Sequence, residues 1–268
     1  MNILPIIRIT EFLQGTLEGG TTRPMLVLGE DGKKYVLKVF SIKDASQRSY
    51  TVAEVIANLL AKEFDLNVPE AVYMTIDKAL LELIKETQPE THKILNNKAI
   101  DRIMFGSLYY EGYPIYSSTN KDKLLALDEF ESILAFDILI SNSDRRAVKP
   151  NILRGQDHHL LIDHEKAFEG MHNVFDNIQI GVLPYYFEKH LFYKKLNKVA
   201  KKSPNTVKFE TFEEYFRILR LDKIKDNVDF MIQKGYDKEE CLDWIDSLEK
   251  LKKNYLTFVT LLKTKINE

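Results

Sequence analysis

Three oxygen-bearing side chains, those of Asp144, Asn151 and Asp163, fall within the segment SNSDRRAVKPNILRGQDHHLLIDHEKAF, residues 141–168. After Asn151, the apolar runs ILR and HLLI flank GQDH, a pattern that predicts a β-hairpin turning at Asp157. Such a hairpin returns Asn151 and Asp163 to its open end, where cross-strand neighbours lie about 5 Å apart. A carboxylate and an amide oxygen at that separation can share one hard cation such as Mg²⁺.

Asp144 precedes this hairpin and directly follows a dense apolar pattern, residues 124–140, that predicts a buried helix. From that position its carboxylate can reach the same opening and orient or deprotonate a hydroxyl. Asp and Asn are also common where helices and strands end, so turn and cap roles are an equal interpretation of this stretch. The rest of the chain decides between the two.

The elements before residue 70 supply two further charged candidates. YVLKVF places Lys38 in an apolar strand, where an ammonium is costly unless it has a partner; an edge-strand lysine facing solvent is the alternative. A helix over 47–64 buries one apolar stripe, and Glu54 lies off that stripe, where it can pair with Lys38 or face water. Upstream, LQGTLEGGTTRP offers a loop whose backbone N–H groups can approach phosphate oxygens through Gly15, Gly19 and Gly20.

The chain reads as a β-rich N-terminal part followed by a helical C-terminal part. Strands are predicted in the first forty residues, in EAVYMTI and in IMFGSLYYEGYPIY, and residues 78–100 are predicted to form one helix and a mobile excursion. Beyond Asn177 amphipathic helices dominate, ending in one long pattern from Trp244 to Leu262.

The order of these parts resembles the protein-kinase-like superfamily and, more closely, the HipA-like kinases. The resemblance is carried by AEVIANLLAKEFDLNVPE, AFDILISNSDRR and NILRGQDHHLLIDHEKAF and spans about residues 12–170. It implies a bilobal α+β kinase fold, with a nucleotide-binding lobe over 1–108, a helical catalytic lobe over 109–268 and ATP between them. The implied activity is transfer of the γ-phosphate of ATP to a serine or threonine of a protein.

The resemblance also implies a role for each candidate residue. Asp144 would be the catalytic aspartate, and Asn151 and Asp163 the ligands of Mg²⁺. The nucleotide phosphates would be bound by Lys38, held by Glu54, and by the loop at Gly19 and Gly20, with Lys149 as a further phosphate contact. Loop hydroxyls are phosphorylated in HipA-like proteins, which makes candidates of Thr16, Thr21 and Thr22.

One departure from the kinase pattern concerns the catalytic loop. Six residues, RRAVKP, separate Asp144 from Asn151, two more than the usual four, so this loop is predicted to bulge. The bulge supports an alternative interpretation, a pseudokinase that binds nucleotide and regulates a partner. A small-molecule kinase of the aminoglycoside type is a second alternative, because LLIDHEKAF is similar to its metal-binding segment. Ser143, where that group has a histidine, counts against it.

A metallohydrolase is a third alternative, built from the imidazoles of His158, His159 and His164 with Asp157 and Asp163. Successive residues of a strand point to opposite faces, so His158 and His159 cannot bind one ion in a regular strand.

The overall charge and the cysteine content of the chain bear on its binding partners and on its location. Lys and Arg (38) nearly balance Asp and Glu (40), which indicates neither nucleic acid nor an anionic membrane as a partner of the whole surface. Residues 189–208 hold seven lysines and no acid, which favours a solvated helix face. The single cysteine, Cys241, fits a reducing compartment, and no signal peptide or membrane span is visible, so a cytoplasmic location is expected. The expected partners are ATP, a hydroxyl-bearing protein acceptor and, from the family, an antitoxin-like protein.

Overall fold

The computed structural model describes residues 2–14, 22–41, 44–97, 102–117 and 126–268. The chain divides into two compact units, each built from separate stretches of sequence. The barrel unit comprises Met1–Ile56, Pro69–Gly112 and Lys223–Lys238, and the helical unit comprises Ala57–Val68, Tyr113–Asp222 and Glu239–Glu268. The predicted division into 1–108 and 109–268 stays a prediction.

Five strands of the barrel unit form a closed barrel in the order β1-β2-β3-β5-β4. Only the β1–β4 pair is parallel, and the other neighbours are antiparallel. The strands are β1 (Ile6–Gln14), β2 (Met25–Gly29), β3 (Lys34–Lys38), β4 (Ala71–Thr75) and β5 (Met104–Leu108).

Alternation of buried and partly exposed side chains shows how these strands enclose a core. In β2, Met25 and Val27 are buried while Leu26 and Leu28 are partly exposed, as the two-residue period of a strand requires. The predicted EDG turn joins β2 to β3, and Gly32 there adopts a φ of 76°, which costs glycine little.

Helices complete the barrel unit. Its helical segments are α1 (Tyr50–Glu63, through Ile56), α2 (Lys78–Thr87), α3 (Pro89–Asn97) and α8 (Asp222–Gln233, from Lys223). The fully buried Asn227 attaches α8 to the strands, since its Oδ1 accepts hydrogen bonds from the Leu4 backbone N–H (2.9 Å) and the Tyr73 hydroxyl (3.0 Å). A segment late in the sequence is therefore part of this unit.

In its described residues the helical unit contains one short hairpin, β6 (Ile152–Arg154) and β7 (His159–Leu161), among helices. The helices are α4 (Leu127–Leu139), α5 (Val174–Gln179), α6 (Tyr193–Lys202), α7 (Glu210–Ile218), α9 (Lys238–Lys253) and α10 (Tyr255–Asn267). Its core is rich in aromatic rings: Phe64 stacks on Phe212 with centroids 4.7 Å apart, and Phe168 stacks on Trp244 at 4.8 Å.

The α+β class, the strand-rich N-terminal region and the helical C-terminal region are confirmed. Two local predictions need correction. The described part of residues 78–100 forms two helices, α2 and α3, and the long final pattern is divided at Asn254 into α9 and α10. Among the helices of the described ranges, none combines the length and the apolar character that a membrane span requires.

Candidate active site

Lys38 and Glu54 form a buried ion pair in the barrel unit. Lys38 is the last residue of β3, paired with Phe105 of β5, and Glu54 lies in the second turn of α1. Their side chains are only 10% and 3% exposed, and the ammonium donates a hydrogen bond to Oε1 of Glu54. Two opposite charges buried together neutralise each other, whereas either alone would be costly. The solvent-facing alternatives for both residues are therefore wrong, and their role toward a nucleotide stays a prediction.

The hairpin brings Asn151 and Asp163 to its open end, as the pattern predicted. Ile152 pairs with Leu161, and the N–H of Ile162 donates to the carbonyl of Asn151 at 3.0 Å. Asn151 and Asp163 both have a positive φ, 51° and 64°. Asn and Asp tolerate this left-handed region better than other residues with a side chain, so the backbone favours these two residue types here.

Asp144 joins the same group through Lys149. The Lys149 ammonium donates to Oδ2 of Asp144 at 2.5 Å and lies 2.9 Å from Oδ2 of Asp163. Burial lowers the pKa of Lys149, but the charges of Asp163 and Asp144 outweigh it, so the pKa lies above its ordinary value. Lys149 therefore stays charged at neutral pH, and its ammonium group lies between the carboxylates of Asp144 and Asp163.

The loop between Asp144 and Asn151 contains a tight turn. Arg146 and Lys149 exchange backbone hydrogen bonds of 3.0 Å in both directions, which leaves Ala147 and Val148 at the tip. Val148 is 90% exposed. The predicted bulge thus projects outward as a two-residue turn, and Lys149 is returned to the carboxylates.

The residues around Asp163 fit a hard divalent cation. Carboxylate oxygens of Asp163 and Glu165 lie within 4.8 Å of each other. Asn151 lies at the same end of the hairpin as Asp163, since the Ile162 N–H donates to its carbonyl, and its amide supplies a further oxygen. Oxygen ligands of this kind suit Mg²⁺, and Asp163, Asn151 and Glu165 are the residues that would hold it.

Behind the loop lies a buried charge network that the sequence did not reveal. The side chain of Arg145 is buried, at 1% exposure. Its Nε donates a hydrogen bond to the Asp137 carboxylate (2.6 Å), and its Nη1 donates one to the Asn151 carbonyl (2.5 Å). Its Nη2 lies 2.9 Å from Nε2 of His164. His190 Nε2 is 2.9 Å from the same Asp137 carboxylate. Burial raises the pKa of Asp137, but Arg145 and His190 outweigh it and lower the pKa well below its ordinary value. The one signal in the sequence was an acid inside the apolar helix AFDILI.

The histidines of the metallohydrolase alternative are not brought together. His158 lies 3.4 Å from the Tyr113 hydroxyl, His164 contacts Arg145, and His159 lies 3.7 Å from Glu129. Burial lowers the pKa of His159 to about 4. Within the described ranges, no histidine belongs to a group of side chains close enough to hold one ion.

The glycine loop falls largely beyond what the structure describes. Gly15, Gly19 and Gly20, and with them Thr16 and Thr21, lie outside the described residues. Of the candidate hydroxyls only Thr22 is described, and it is buried.

Comparison with known proteins decides the family. The protein-family model described as HipA-like kinase matches residues 9–221 of this chain. The chain belongs to the HipA-like kinase family. It is accordingly a phosphotransferase of the kinase class. A search of the curated proteins finds no match.

One solved structure supports the fold of this HipA-like kinase, and two others align less well. The crystal structure of the Helicobacter pylori proinflammatory kinase CtkA aligns over 97% of this chain and 98% of that chain, with a TM-score of 0.57 and 12% identity. The Golgi casein kinase aligns over 98% of this chain and 73% of its own, at 12% identity and a TM-score of 0.41. The structure of the Golgi casein kinase with Mn and ADP bound aligns over 96% of this chain and 74% of its own, at 12% identity and a TM-score of 0.41.

Proposed function

We propose that this HipA-like kinase transfers the γ-phosphate of ATP, in the presence of Mg²⁺, to a serine or threonine hydroxyl of a protein. The observation that carries the proposal is the convergence of Asp144 and Asp163 on Lys149, at the open end of the hairpin that also bears Asn151. Acids and an amide gathered in this way suit phosphoryl transfer, in which positioning and charge neutralisation supply most of the rate.

Each residue has a distinct task in this proposal. Asp144 orients the acceptor hydroxyl and accepts its proton, while Lys149 donates hydrogen bonds to phosphate oxygens. Lys38, positioned by Glu54, binds the nucleotide phosphates. Asp163, Asn151 and Glu165 hold the divalent cation, which neutralises phosphate charge when bound. The protein acceptor and an antitoxin-like partner are expectations from the family.

The test is phosphate transfer from radiolabelled γ-ATP with Mg²⁺, with casein and myelin basic protein as acceptors. Label on protein and release of ADP are read, and phosphoamino-acid analysis identifies the hydroxyl. We expect Asp144→Asn to lower the transfer rate by about 10²–10⁴-fold with ATP binding retained, because it removes only the proton acceptor. Asp163→Asn should also weaken the response to Mg²⁺.

Asp157→Asn is the matched control, because Asp157 is an exposed carboxylate in the turn of the same hairpin. It should keep the wild-type rate. Equal rates for wild type, Asp144→Asn and Asp163→Asn would refute the assignment of these residues. Tight binding of ATP without ADP release, by the wild type with each acceptor, would instead support the pseudokinase alternative.

A further inference from the structure

The barrel unit contains a cavity that is distinct from the Lys38–Glu54 pair. Its volume is about 310 Å³, and it is lined by Arg48, Arg102, Gly235 and Asp237. These residues come from three distant parts of the chain, before α1, before β5 and after α8. The cavity opens to solvent, since Arg48, Gly235 and Asp237 are exposed, and two arginines in its lining favour a ligand that carries negative charge.

Arg102 is held in place before any ligand arrives. Its Cζ lies 5.3 Å from the centre of the Tyr236 ring, a distance typical of a cation–π contact. The Tyr236 hydroxyl donates to the carbonyl of Ile103 at 2.8 Å, which fixes the ring. Gly235 has a φ of 87°, and a Cβ there would lie 3.6 Å from the Arg102 Cζ. A guanidinium fixed in this way loses little conformational entropy when it binds an anion.

Neither arginine is neutralised by a carboxylate of the described residues: Arg48 and Arg102 form no ion pair there. Arg8 of the same unit behaves differently, since it contacts Glu30 at 3.3 Å and Asp77 at 3.1 Å. Arg48 also lies two residues before the start of α1, whose first turn contains no acid. The positive end of the helix dipole therefore adds to the charge of the arginine.

We propose that this cavity binds a phosphate monoester whose phosphate contacts Arg48 and Arg102. Guanidinium groups recognise phosphate oxygens through paired hydrogen bonds, which favours this anion over a simple halide. Asp237 gives the cavity a carboxylate as well, and its negative charge weakens the binding of a bare anion. A phosphoserine in a peptide and a small phosphorylated compound both carry such a phosphate.

The position of the cavity gives binding a consequence for the kinase site. Arg48 is six residues before Glu54 on the segment that enters α1. A phosphate bound there stabilises the first turn of the helix that carries Glu54, and so favours the ion pair with Lys38. This regulatory step rests on the proposed kinase function, whereas binding itself does not.

The experiment is calorimetric titration of the full chain, without nucleotide, using inorganic phosphate, a phosphoserine peptide and the same peptide unphosphorylated. We expect Arg48→Gln and Arg102→Gln each to weaken phosphate binding at least about tenfold, because each removes a charge-assisted hydrogen bond. Arg217→Gln, which removes an exposed guanidinium of the helical unit, should leave the affinity unchanged. Asp237→Asn should tighten binding of inorganic phosphate, an effect that loss of folding cannot imitate.

Undiminished binding of phosphate by the Arg48→Gln/Arg102→Gln double variant would overturn the proposal, as would absence of heat with both phosphate probes up to about 10 mM. Tighter binding of the phosphopeptide than of inorganic phosphate would indicate a protein-borne ligand, and the reverse order a small phosphate compound. Because no ATP is present, failure here leaves the proposed kinase function untouched. If the chain fails to transfer phosphate in the kinase assay, the result of this binding experiment is likewise unaffected.

Discussion

At the scale of single residues, Asp144 and Arg145 show how neighbours in sequence take different tasks. The Asp144 carboxylate faces the partly exposed Lys149, whereas the Arg145 side chain is fully buried and contacts Asp137 and the Asn151 carbonyl. The guanidinium thereby connects Asp137 of helix α4 to Asn151, the residue that precedes β6. Arg145 is a positioning residue for the loop, because none of its hydrogen bonds requires a ligand.

Arg145→Met tests this role. We expect it to lower the free energy of unfolding by about 3–5 kcal/mol, since Asp137 would stay buried without its main counter-charge. Urea unfolding followed by circular dichroism measures the change. Arg146→Met is the control: that side chain is 47% exposed, and its surface contact with Asp144 should contribute about 1 kcal/mol or less. Equal losses in the two variants would contradict the positioning role.

At the scale of elements, the loop between α4 and β6 accommodates two additional residues without moving Lys149 away from the carboxylates. The paired hydrogen bonds of Arg146 and Lys149 close the turn, so only its tip projects. A turn closed by its own backbone needs no support from the tip side chains. The two additional residues therefore lie at the tip of the turn, and Lys149 contacts both Asp144 and Asp163.

Val148→Ser therefore should behave as wild type. Its side chain is 90% exposed, so the free energy of unfolding should change by no more than about 0.5 kcal/mol and the phosphate transfer rate should be unchanged. Lys149→Met, one residue further on, should lower the transfer rate strongly because it removes a proposed phosphate contact. Initial rates of ADP release compare the two. A large loss in Val148→Ser would show that the tip itself contacts the acceptor or the nucleotide.

At the scale of the whole molecule, the stability of the helical unit should depend on pH through His159. The imidazole is 4% exposed, and burial, with the positive charge of Arg145, lowers its pKa to about 4. In the unfolded chain the pKa is near 6.5, so only the unfolded state gains the proton between pH 6.5 and pH 4. The free energy of unfolding therefore falls as the pH falls through this window, by up to about 3 kcal/mol.

His159→Gln should make unfolding less sensitive to pH in this window, because glutamine does not titrate. Urea midpoints at pH 7 and pH 5 provide the comparison. His172→Gln, which replaces an exposed histidine, should keep the wild-type difference between the two midpoints. An unchanged difference in His159→Gln would mean that other groups cause the acid sensitivity.

The sequence by itself determined the strand-rich N-terminal region, the helical C-terminal region and the hairpin between Asn151 and Asp163. Alternation and turn residues are local, so they were enough to predict the hairpin that brings Asn151 and Asp163 together. A lysine in an apolar strand and an acid in the next helix made the Lys38–Glu54 pair one of two open interpretations, because a buried charge requires a partner whereas an exposed one does not. The resemblance to the HipA-like kinases added the proposed role of each of these residues.

Only the tertiary structure decided which distant residues meet. Asp137 and His190 are 53 residues apart, and the cavity residues Arg48, Arg102 and Asp237 are further separated still. Periodicity describes the conformation of one segment and is silent about which segments pack together. Long-range packing placed residues 223–238 against the barrel strands and buried Arg145, in the loop between α4 and β6, against Asp137, since each buried polar group must find its partner wherever the fold provides one.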